Sequence, residues 1–403
     1  MIRQRSNWKI SLKLAVTGVL LLAGATHYAQ NNMSVLRVQN GKLYKDGKEY
    51  RGFGLNASYL SDKVLNVGKD AKESFKAIEY LGKKKIPYVR TWLGYLGNWK
   101  PYFNDEKKYW ENMDLLVDAF EKANVGLIPT LFWKHEYIPW EFNESQKDMM
   151  NPDSKGRKFM AEYTKKFINR YKDRKIIWMW EWSNESNYAW NLPHERKKKN
   201  QNDVLTHELG MTISKAFAEE VRQLDPYRPI STGNGSVRED FYNRAMNLRN
   251  LWKKDTLAEQ LIAAKWCAPD PYDTLSIHRY MHWQDGKCDM KPFVETVDRH
   301  MALAKKLKKP LFIGEFGLLL KDSAGKKNWT ATPDINMNDY KKAVREMYQI
   351  LYEKKVPLAA WWVYTDKKTS FHIGVINQDH YTNYEWIVDI INEYNEKLAR
   401  DLK

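Results

Sequence analysis

The sequence predicts an α/β protein built as a (β/α)8 TIM barrel with a short N-terminal β-hairpin. Eight short apolar runs alternate with amphipathic stretches, as expected for β-strands connected by helices. The runs are apolar on both faces, which is typical of parallel strands covered by helices. No Pro-, Ser- or Gly-rich linker divides the chain. These observations favour one closed barrel over an open sheet or two domains.

The predicted strands follow one another along most of the chain. They cover residues 50–56, 88–92, 126–133, 176–182, 229–234, 274–280, 311–317 and 358–364. Two of the intervening stretches, residues 109–124 and 338–355, carry apolar residues at spacings of three and four and predict helices. Before the first strand, the turn signals Asn40-Gly41 and Asp46-Gly47 predict the hairpin, which we place as a plug at the bottom of the barrel.

Residues 1–30 have the pattern of an export signal. A basic lead precedes an apolar run from Leu14 to Ala25, and small residues follow it. This run of about a dozen residues is too short to span a bilayer core of about 30 Å. We therefore expect a cleaved signal, a single catalytic domain over residues 31–403, and a secreted or periplasmic monomer without stable membrane insertion. An uncleaved membrane anchor is the alternative.

The positive charge of the chain does not by itself predict a nucleic-acid partner. The net charge is +16. The signal contains four basic residues and no acidic one, so its removal leaves 16 − 4 = +12. The lysines are spread over helical-looking segments such as residues 83–85, 197–199 and 305–309. Solvated helix faces explain this distribution, so no nucleic-acid partner is predicted. Attraction to an anionic polysaccharide or a cell surface is the alternative.

Cys267 and Cys288 are the only cysteines. An oxidising compartment allows them to pair, but the sequence does not show whether their Cα atoms approach closely enough. Both the bridged and the free state therefore stay open. Because they form no CxxC motif and have no neighbouring histidine cluster, we predict no zinc site, and no cofactor is required.

Polar and aromatic residues end six of the predicted strands. Catalytic groups of a TIM barrel lie at the carboxyl ends of its strands, so these residues are the candidates for the site. They are Arg90 on the second strand, Trp133 and His135 after the third, Asn184 and Glu185 after the fourth, His278 and Tyr280 on the sixth, Glu315 on the seventh, and Trp362 on the eighth. His282 and Trp283, just past the sixth strand, are further candidates for loop contacts.

Two carboxylates at one barrel mouth are the groups that glycoside hydrolysis requires. One carboxyl group protonates the leaving oxygen and the other acts on the anomeric carbon, while tryptophans offer flat apolar faces to sugar rings. Glu181 competes with Glu185 for this role. Four residues of extended strand place Glu181 about 13 Å deeper, where we expect an ion pair with an arginine such as Arg51 or Arg90.

The order of these motifs resembles glycoside hydrolase family 5, the cellulase and mannanase family of clan A. The family's Asn-Glu-Pro signature on the fourth strand corresponds to Asn184-Glu185-Ser186, and its seventh-strand signature corresponds to "IGEFG" around Glu315. The resemblance implies that Glu185 is the acid/base, Glu315 the nucleophile and Asn184 the ligand of the sugar 2-hydroxyl. It also implies supporting roles for Arg90, His278, Tyr280 and Trp362, and for Trp133 and His135, which match more loosely.

The resulting hypothesis is a retaining, endo-acting hydrolase of β-1,4-linked mannan or glucan. It needs no metal, and it requires that the pKa of Glu185 be raised by apolar surroundings and by the charge of Glu315. A secreted carbohydrate-binding barrel without catalysis is the alternative from another functional class.

Overall fold

The computed structural model describes most of the predicted barrel. The described residues are 35–93, 99–190, 203–247, 253–284, 286–320, 336–366, 376–377 and 385–402. The predicted signal, residues 1–30, lies outside them. Within these ranges no helix combines the length and the apolar character needed to cross a bilayer.

Eight parallel strands form the central sheet, as predicted. They are β4 (Gly52–Asn56), β5 (Tyr88–Trp92), β6 (Gly126–Thr130), β7 (Trp180–Glu181), β8 (Ile230–Ser231), β9 (Leu275–Trp283), β10 (Leu311–Leu320) and β11 (Leu358–Trp361). Their order is β8-β7-β6-β5-β4-β11-β10-β9, so β4 to β8 are neighbours in sequence order, as are β9 to β11, and β11 pairs with β4. The backbone N–H of Asp273 donates to the Ile230 carbonyl at 3.1 Å, which links the two edge strands β8 and β9. The sheet thus curls into the predicted (β/α)8 arrangement.

The N-terminal segment is larger than the predicted hairpin. It forms a three-stranded antiparallel sheet of β1 (Arg37–Gln39), β2 (Lys42–Lys45) and β3 (Lys48–Glu49), because each of the two turn signals closes a hairpin. Asn40, Gly41, Asp46 and Gly47 all have positive φ, which these tight turns require. Leu36 and Leu43 belong to a buried cluster with residues of the strands and their approaches, among them Tyr88, Ile128, Phe312 and Leu358. The sheet therefore covers the bottom of the barrel, opposite the carboxyl ends of the strands.

Helices cover the outside of the sheet. The described helices are α1 (Ser58–Val67), α2 (Lys72–Lys83), α3 (Lys100–Asn104), α4 (Glu106–Ala123), α5 (Ile138–Glu141), α6 (Lys155–Tyr171), α7 (Ser186–Ala189), α8 (His207–Leu224), α9 (Phe241–Asn247), α10 (Leu257–Cys267), α11 (Lys291–Leu307), α12 (Met337–Glu353) and α13 (Trp386–Asp401). Two short strands, β12 (Thr365–Asp366) and β13 (Ile376–Asn377), pair with each other. The predicted helix 109–124 begins earlier, because Asp105 accepts a hydrogen bond from the Lys108 N–H and caps α4.

The lysine-rich segments are solvated only in part. Lys305, Lys306 and Lys308 are exposed, as predicted. Lys309 is buried instead, and its ammonium donates to the Ala268 carbonyl at 2.7 Å and lies 2.9 Å from the Asp270 carboxylate. Residues 197–199 lie outside the described ranges.

Both cysteines are free thiols. Cys267 is buried at the end of α10 and Cys288 is partly buried, so the open question of a disulfide is resolved toward the free state. The distance from Asn187 Nδ2 to the Cys267 sulfur is 3.7 Å.

Candidate active site

Six of the predicted site residues come together, on or just after four strands of the sheet. Arg90 lies on β5, Asn184 and Glu185 follow β7, and Glu315 lies on β10. His278 and Tyr280 both lie on β9, on the same face of the strand because side chains alternate along it. Each of these residues contacts at least one other member of the group, through the hydrogen bonds described below.

A backbone irregularity at Gly314 directs Glu315. The pairing of β10 with β9 shifts register between Ile313 and Glu315, so Glu315 lies opposite His278. Such a bulge adds one residue and turns the following side chains. A β-carbon on Gly314 would lie 2.9 Å from His278 Nε2, closer than β-carbons normally approach. Glycine is therefore needed at this position for His278 to pack beside Glu315.

Glu185 has a left-handed backbone conformation, with φ of 51°. This is uncommon for a residue other than glycine and often marks a functional position. The backbone N–H of Glu185 donates to the Gly233 carbonyl at 2.9 Å, and the Asn184 N–H donates to the Trp133 carbonyl at 3.2 Å. The neighbouring loops thus hold the turn that aims the Glu185 side chain.

The two carboxylates approach each other across His278. Carboxylate oxygens of Glu185 and Glu315 and a ring nitrogen of His278 all lie within 4.8 Å of one another. His278 Nδ1 is 3.1 Å from Glu185 Oε1 and 3.5 Å from Glu315 Oε2. The Glu185 side chain is 27% exposed and that of Glu315 only 5%. Glu185 is thus the carboxyl group with the freer access to solvent.

These three residues are also a group that could hold a cation. Among the described residues they offer two carboxylates and an imidazole at close range. Glu315 accepts from Arg90 and Tyr280 at the same time, so its oxygens already have protein donors. The absence of a metal requirement stays a prediction.

Arg90 connects most of the site. Its guanidinium is fully buried and donates from Nε to Glu181 at 2.6 Å, and from Nη1 to Glu315 at 2.8 Å and to Asn56 at 3.1 Å. Nη2 donates to Asn184 Oδ1 at 3.0 Å, which orients the amide so that its NH2 group points away from Arg90. Burial lowers the pKa of Arg90, but Glu181 and Glu315 outweigh it and raise that pKa above its usual value. Arg90 therefore stays charged.

Tyr280 completes the surroundings of Glu315. Its hydroxyl donates to Glu315 Oε2 at 2.5 Å. Burial, together with the negative charges of Glu315 and Glu185, raises the pKa of Tyr280 well above its usual value. Tyr280 thus keeps its hydroxyl proton and can donate a hydrogen bond to Glu315. Glu315 is held by charged and neutral donors from both β5 and β9.

Tryptophans form one wall of the site. Trp133 stacks with Trp362, with centroids 6.1 Å apart, and its ring lies 4.7 Å from the guanidinium carbon of Arg90. Trp92 contacts Trp133 edge-on at 4.8 Å. Trp133 is buried, whereas Trp92 and Trp362 are partly exposed. The predicted aromatic surface therefore lies beside the arginine that contacts both Glu315 and Asn184.

Two predicted residues lie elsewhere. His135 is buried, its Nδ1 is 2.9 Å from the Ser183 hydroxyl, and its ring packs on Trp182 at 4.3 Å. These contacts are with the segment that precedes Asn184, and a sugar contact by His135 stays a prediction. Trp283 is not a loop residue: it belongs to β9, is buried, and contacts Tyr340 at 5.7 Å.

The predicted ion pair of Glu181 forms with Arg90 and not with Arg51. Arg51 instead donates to the backbone carbonyls of Tyr352 and Val356, at the other end of the barrel. Arg51 lies before β4, at the amino-terminal end of the strand, and its side chain remains near the C-terminal end of α12. Arg90 lies on β5, two positions from β7 in the sheet order, with β6 between the two strands.

Asn56 is a site residue that the sequence analysis missed. It ends β4, and its Nδ2 donates to the Gly314 carbonyl at 2.8 Å while its Oδ1 accepts from Arg90. It therefore holds the bulge that precedes Glu315. The signal was present, because Asn56 is a polar residue at the end of the apolar run of the first predicted strand.

The model of the cellulase family, glycosyl hydrolase family 5, matches residues 43–368. No curated protein sequence matches the chain. Among solved structures, the endo-1,4-β-mannanase from Rhizomucor miehei has a TM-score of 0.58 at 17% identity, covering 91% of this chain and 100% of that one. The β-mannanase from the blue mussel Mytilus edulis has a TM-score of 0.55 at 18% identity, with 82% and 92% covered. The endo-β-1,4-mannanase from Thermotoga petrophila has a TM-score of 0.55 at 17% identity, with 87% and 78% covered.

The structural similarities establish the barrel fold, and the family match spans all eight of its strands. The chain belongs to glycosyl hydrolase family 5 and is a glycoside hydrolase.

Proposed function

We propose that this protein is a retaining, endo-acting β-mannanase that cleaves β-1,4-linked mannan by double displacement. The observation that carries the proposal is the separation of the carboxylates: oxygens of Glu185 and Glu315 lie within 4.8 Å. Retaining enzymes hold these groups about 5 to 5.5 Å apart, whereas inverting enzymes leave roughly 6.5 to 9.5 Å for a water molecule. The short separation supports a direct attack by one carboxylate on the sugar.

In the first step, a carboxylate oxygen of Glu315 forms a bond to the anomeric carbon. The bond from that carbon to the glycosidic oxygen breaks, and the leaving oxygen takes the proton of Glu185. Glu315 suits the nucleophile because Arg90 and Tyr280 donate hydrogen bonds to its oxygens and hold them in place. Glu185 suits the acid because it is the more exposed carboxyl group and can exchange protons with solvent.

In the second step, Glu185 removes a proton from a water molecule whose oxygen attacks the anomeric carbon. The ester bond to Glu315 breaks, and the sugar leaves with its original β configuration. His278 contacts both carboxylates, so it remains beside Glu185 both when that group loses its proton and when it regains it.

Asn184 is assigned to the 2-hydroxyl of the sugar at the reacting centre. Arg90 holds its carbonyl oxygen at 3.0 Å, so the amide NH2 group is left to donate to the substrate. Hydrogen bonds to this hydroxyl strengthen as the oxocarbenium-like transition state forms. Trp362 and Trp92, which are partly exposed, offer faces to the sugar rings.

Mannan is favoured over glucan because the structural neighbours reported above are named as mannanases. Endo action is proposed because two of these neighbours are named as endo-enzymes, although other similar structures are named as mannosidases. We further propose that the protein is exported, which rests on the signal-like pattern of residues 1–30, and that it acts as a monomer.

The test is a panel of mannans, glucans and xylans incubated with the purified protein, with products sized and their anomers followed by proton NMR. We expect oligosaccharides of several lengths from mannan, with the β-anomer released first. Initial release of the α-anomer would contradict the retaining mechanism, and activity on glucan alone would contradict the substrate.

The Glu315→Ala variant is the control for catalysis. Equal background turnover by this variant and the unmodified protein would favour the alternative, a carbohydrate-binding barrel without activity.

A further inference from the structure

We propose that Glu181 is a positioning residue that fixes Arg90 between the nucleophile and Asn184 and shares its positive charge with Glu315. This inference deepens the proposed function and rests on it. Glu181 does not contact the substrate in this account; it acts through the guanidinium of Arg90.

Glu181 is anchored from three strands at once. Its side chain is fully buried. Oε1 accepts from Arg90 Nε at 2.6 Å and from the Thr130 hydroxyl at 2.6 Å, and Oε2 accepts from the Ser231 hydroxyl at 3.1 Å. A β-carbon on Gly233 would lie 2.9 Å from the Glu181 carboxyl carbon, so a residue larger than glycine does not fit beside Glu181 at this position. The carboxylate is therefore a fixed point in the barrel.

A fixed Nε determines where the rest of the guanidinium points. The group is planar and its five N–H donors have a rigid geometry. With Nε held by Glu181, Nη1 reaches Glu315 and Asn56, and Nη2 reaches Asn184. One buried carboxylate thus sets the direction of the donors to the nucleophile and to the proposed 2-hydroxyl ligand.

Arg90 is one buried cation between two buried carboxylates. Glu315 is faced by Arg90 from β5, by His278 and Tyr280 from β9, and by Glu185 after β7. Glu181 is contacted by Arg90, Thr130 and Ser231, and Tyr272 is within electrostatic range of it.

If Glu181 were neutral, the charge of Arg90 would act on Glu315 without competition. An opposite charge favours the ionised carboxylate and makes it a weaker base. We infer that Glu181, by sharing Arg90 with Glu315, limits the effect of that charge on the nucleophile. A purely structural ion pair would hold Arg90 in place without affecting the ionisation of the nucleophile.

The test compares Glu181→Gln with Thr130→Val in the full-length protein, using the mannan that the unmodified protein cleaves. Glutamine keeps an acceptor for Arg90 Nε and removes the charge. We expect the acidic limb of its kcat/KM profile to move to lower pH by up to about one unit, with kcat reduced about tenfold and KM little changed. Thr130→Val keeps the charge but removes one donor that holds Oε1. We expect a smaller loss of kcat with the acidic limb in place.

A folded Glu181→Gln variant whose acidic limb stays in place or moves to higher pH would overturn the proposal. If that variant does not fold, a Thr130→Val variant with unchanged kcat would overturn the positioning role, and a reduced kcat would support it. An inactive unmodified protein would contradict the proposed function and this inference together. If the unmodified protein is active but the acidic limb of Glu181→Gln does not move, only the role of Glu181 is contradicted.

Discussion

At the scale of single residues, the site depends on Arg90, a buried arginine that donates to four different side chains. Taking a guanidinium out of water costs several kcal/mol, which only close charged and polar partners offset. Arg90 has four such partners, from β4, β10, β7 and the turn after β7: Asn56, Glu315, Glu181 and Asn184. Removing one partner of a buried pair typically costs about 3 to 5 kcal/mol. The same contacts that stabilise the barrel mouth therefore orient its reacting groups.

The roles proposed for Glu185 and Glu315 predict opposite products with azide. In Glu315→Ala, azide can occupy the space of the missing carboxylate and attack an activated β-aryl glycoside, which inverts the anomeric carbon and gives the α-glycosyl azide. In Glu185→Ala, the glycosyl-enzyme still forms on Glu315, and azide releases the β-glycosyl azide. Loss of the general acid should lower kcat/KM on mannan about 10² to 10⁴-fold. Proton NMR of the azide products checks the assignment, and the reverse pattern would exchange the two roles.

At the scale of elements, the bulge in β10 positions Glu315, the proposed nucleophile. It comes between Ile313 and Glu315 in the pairing with β9, and Asn56 on β4 binds its Gly314 carbonyl. The bulge and its anchor together determine whether Glu315 faces the interior.

Gly314→Ala should therefore reduce activity more than stability. The added β-carbon would lie 2.9 Å from His278 Nε2, so His278 must shift away from both carboxylates. A misplacement of about 1 Å near the reacting atoms can cost about 10²-fold in rate. The measurement is kcat/KM together with the thermal midpoint.

Ser276→Ala is the matched control for Gly314→Ala. Ser276 lies on β9 two residues before His278, and its buried hydroxyl has no hydrogen-bond partner among the described residues. This variant should keep its activity. If Gly314→Ala also keeps full activity, the close packing of His278 is not required.

The helix α11 carries a buried titratable group that limits stability in acid. Burial lowers the pKa of His300 to about 3, and its Nε2 accepts from the Val237 N–H at 3.2 Å. In the unfolded chain a histidine titrates near pH 6.5. Between these values the unfolded state binds the additional proton, so stability falls as the pH decreases.

We expect His300 to contribute a loss of about 1.4 kcal/mol per pH unit below pH 6.5, until its folded-state titration near pH 3. Urea denaturation at pH 7, 6, 5 and 4 measures this slope. The His300→Gln variant should be less stable at pH 7 but should have a shallower dependence on pH. An equal slope in both proteins would exclude His300 as the cause.

At the scale of the whole molecule, stability and chemistry are located at opposite ends of the barrel. The N-terminal sheet packs Leu36 and Leu43 against the bottom cluster, whereas Glu185 follows β7 and Glu315 lies within β10, away from that cluster. Residues at the bottom of a TIM barrel serve stability, and those at the top serve catalysis.

Leu43→Ala should separate these two properties. Leu43 is buried, and truncating a buried leucine to alanine costs about 2 to 5 kcal/mol. We expect a lower urea midpoint with kcat and KM on mannan unchanged at 25 °C. A loss of kcat in protein that circular dichroism shows to be folded would mean that the bottom sheet also positions the active site.

The periodic part of the fold was predictable because it depends on local pattern. The strand Tyr88–Trp92 has the predicted bounds. The helices predicted over 109–124 and 338–355 begin and end at different residues, mainly because of their capping residues. The strand predicted over 176–182 has ladder pairing only at Trp180–Glu181, although Ile177 makes an isolated bridge to Leu127. Hydrophobic pattern predicts burial, but it does not predict where the pairing is regular.

The sequence by itself determined the barrel and the strands that carry Glu185 and Glu315, because these follow from hydrophobic periodicity and from short motifs in order. Only the tertiary structure decided that Glu185 and Glu315 approach within 4.8 Å, that Arg90 and not Arg51 pairs with Glu181, and that Asn56 joins the site. It also decided that the cysteines are free. These features depend on contacts between residues far apart in the chain, through barrel curvature, a bulge and the rigid geometry of one guanidinium, and no local pattern specifies them.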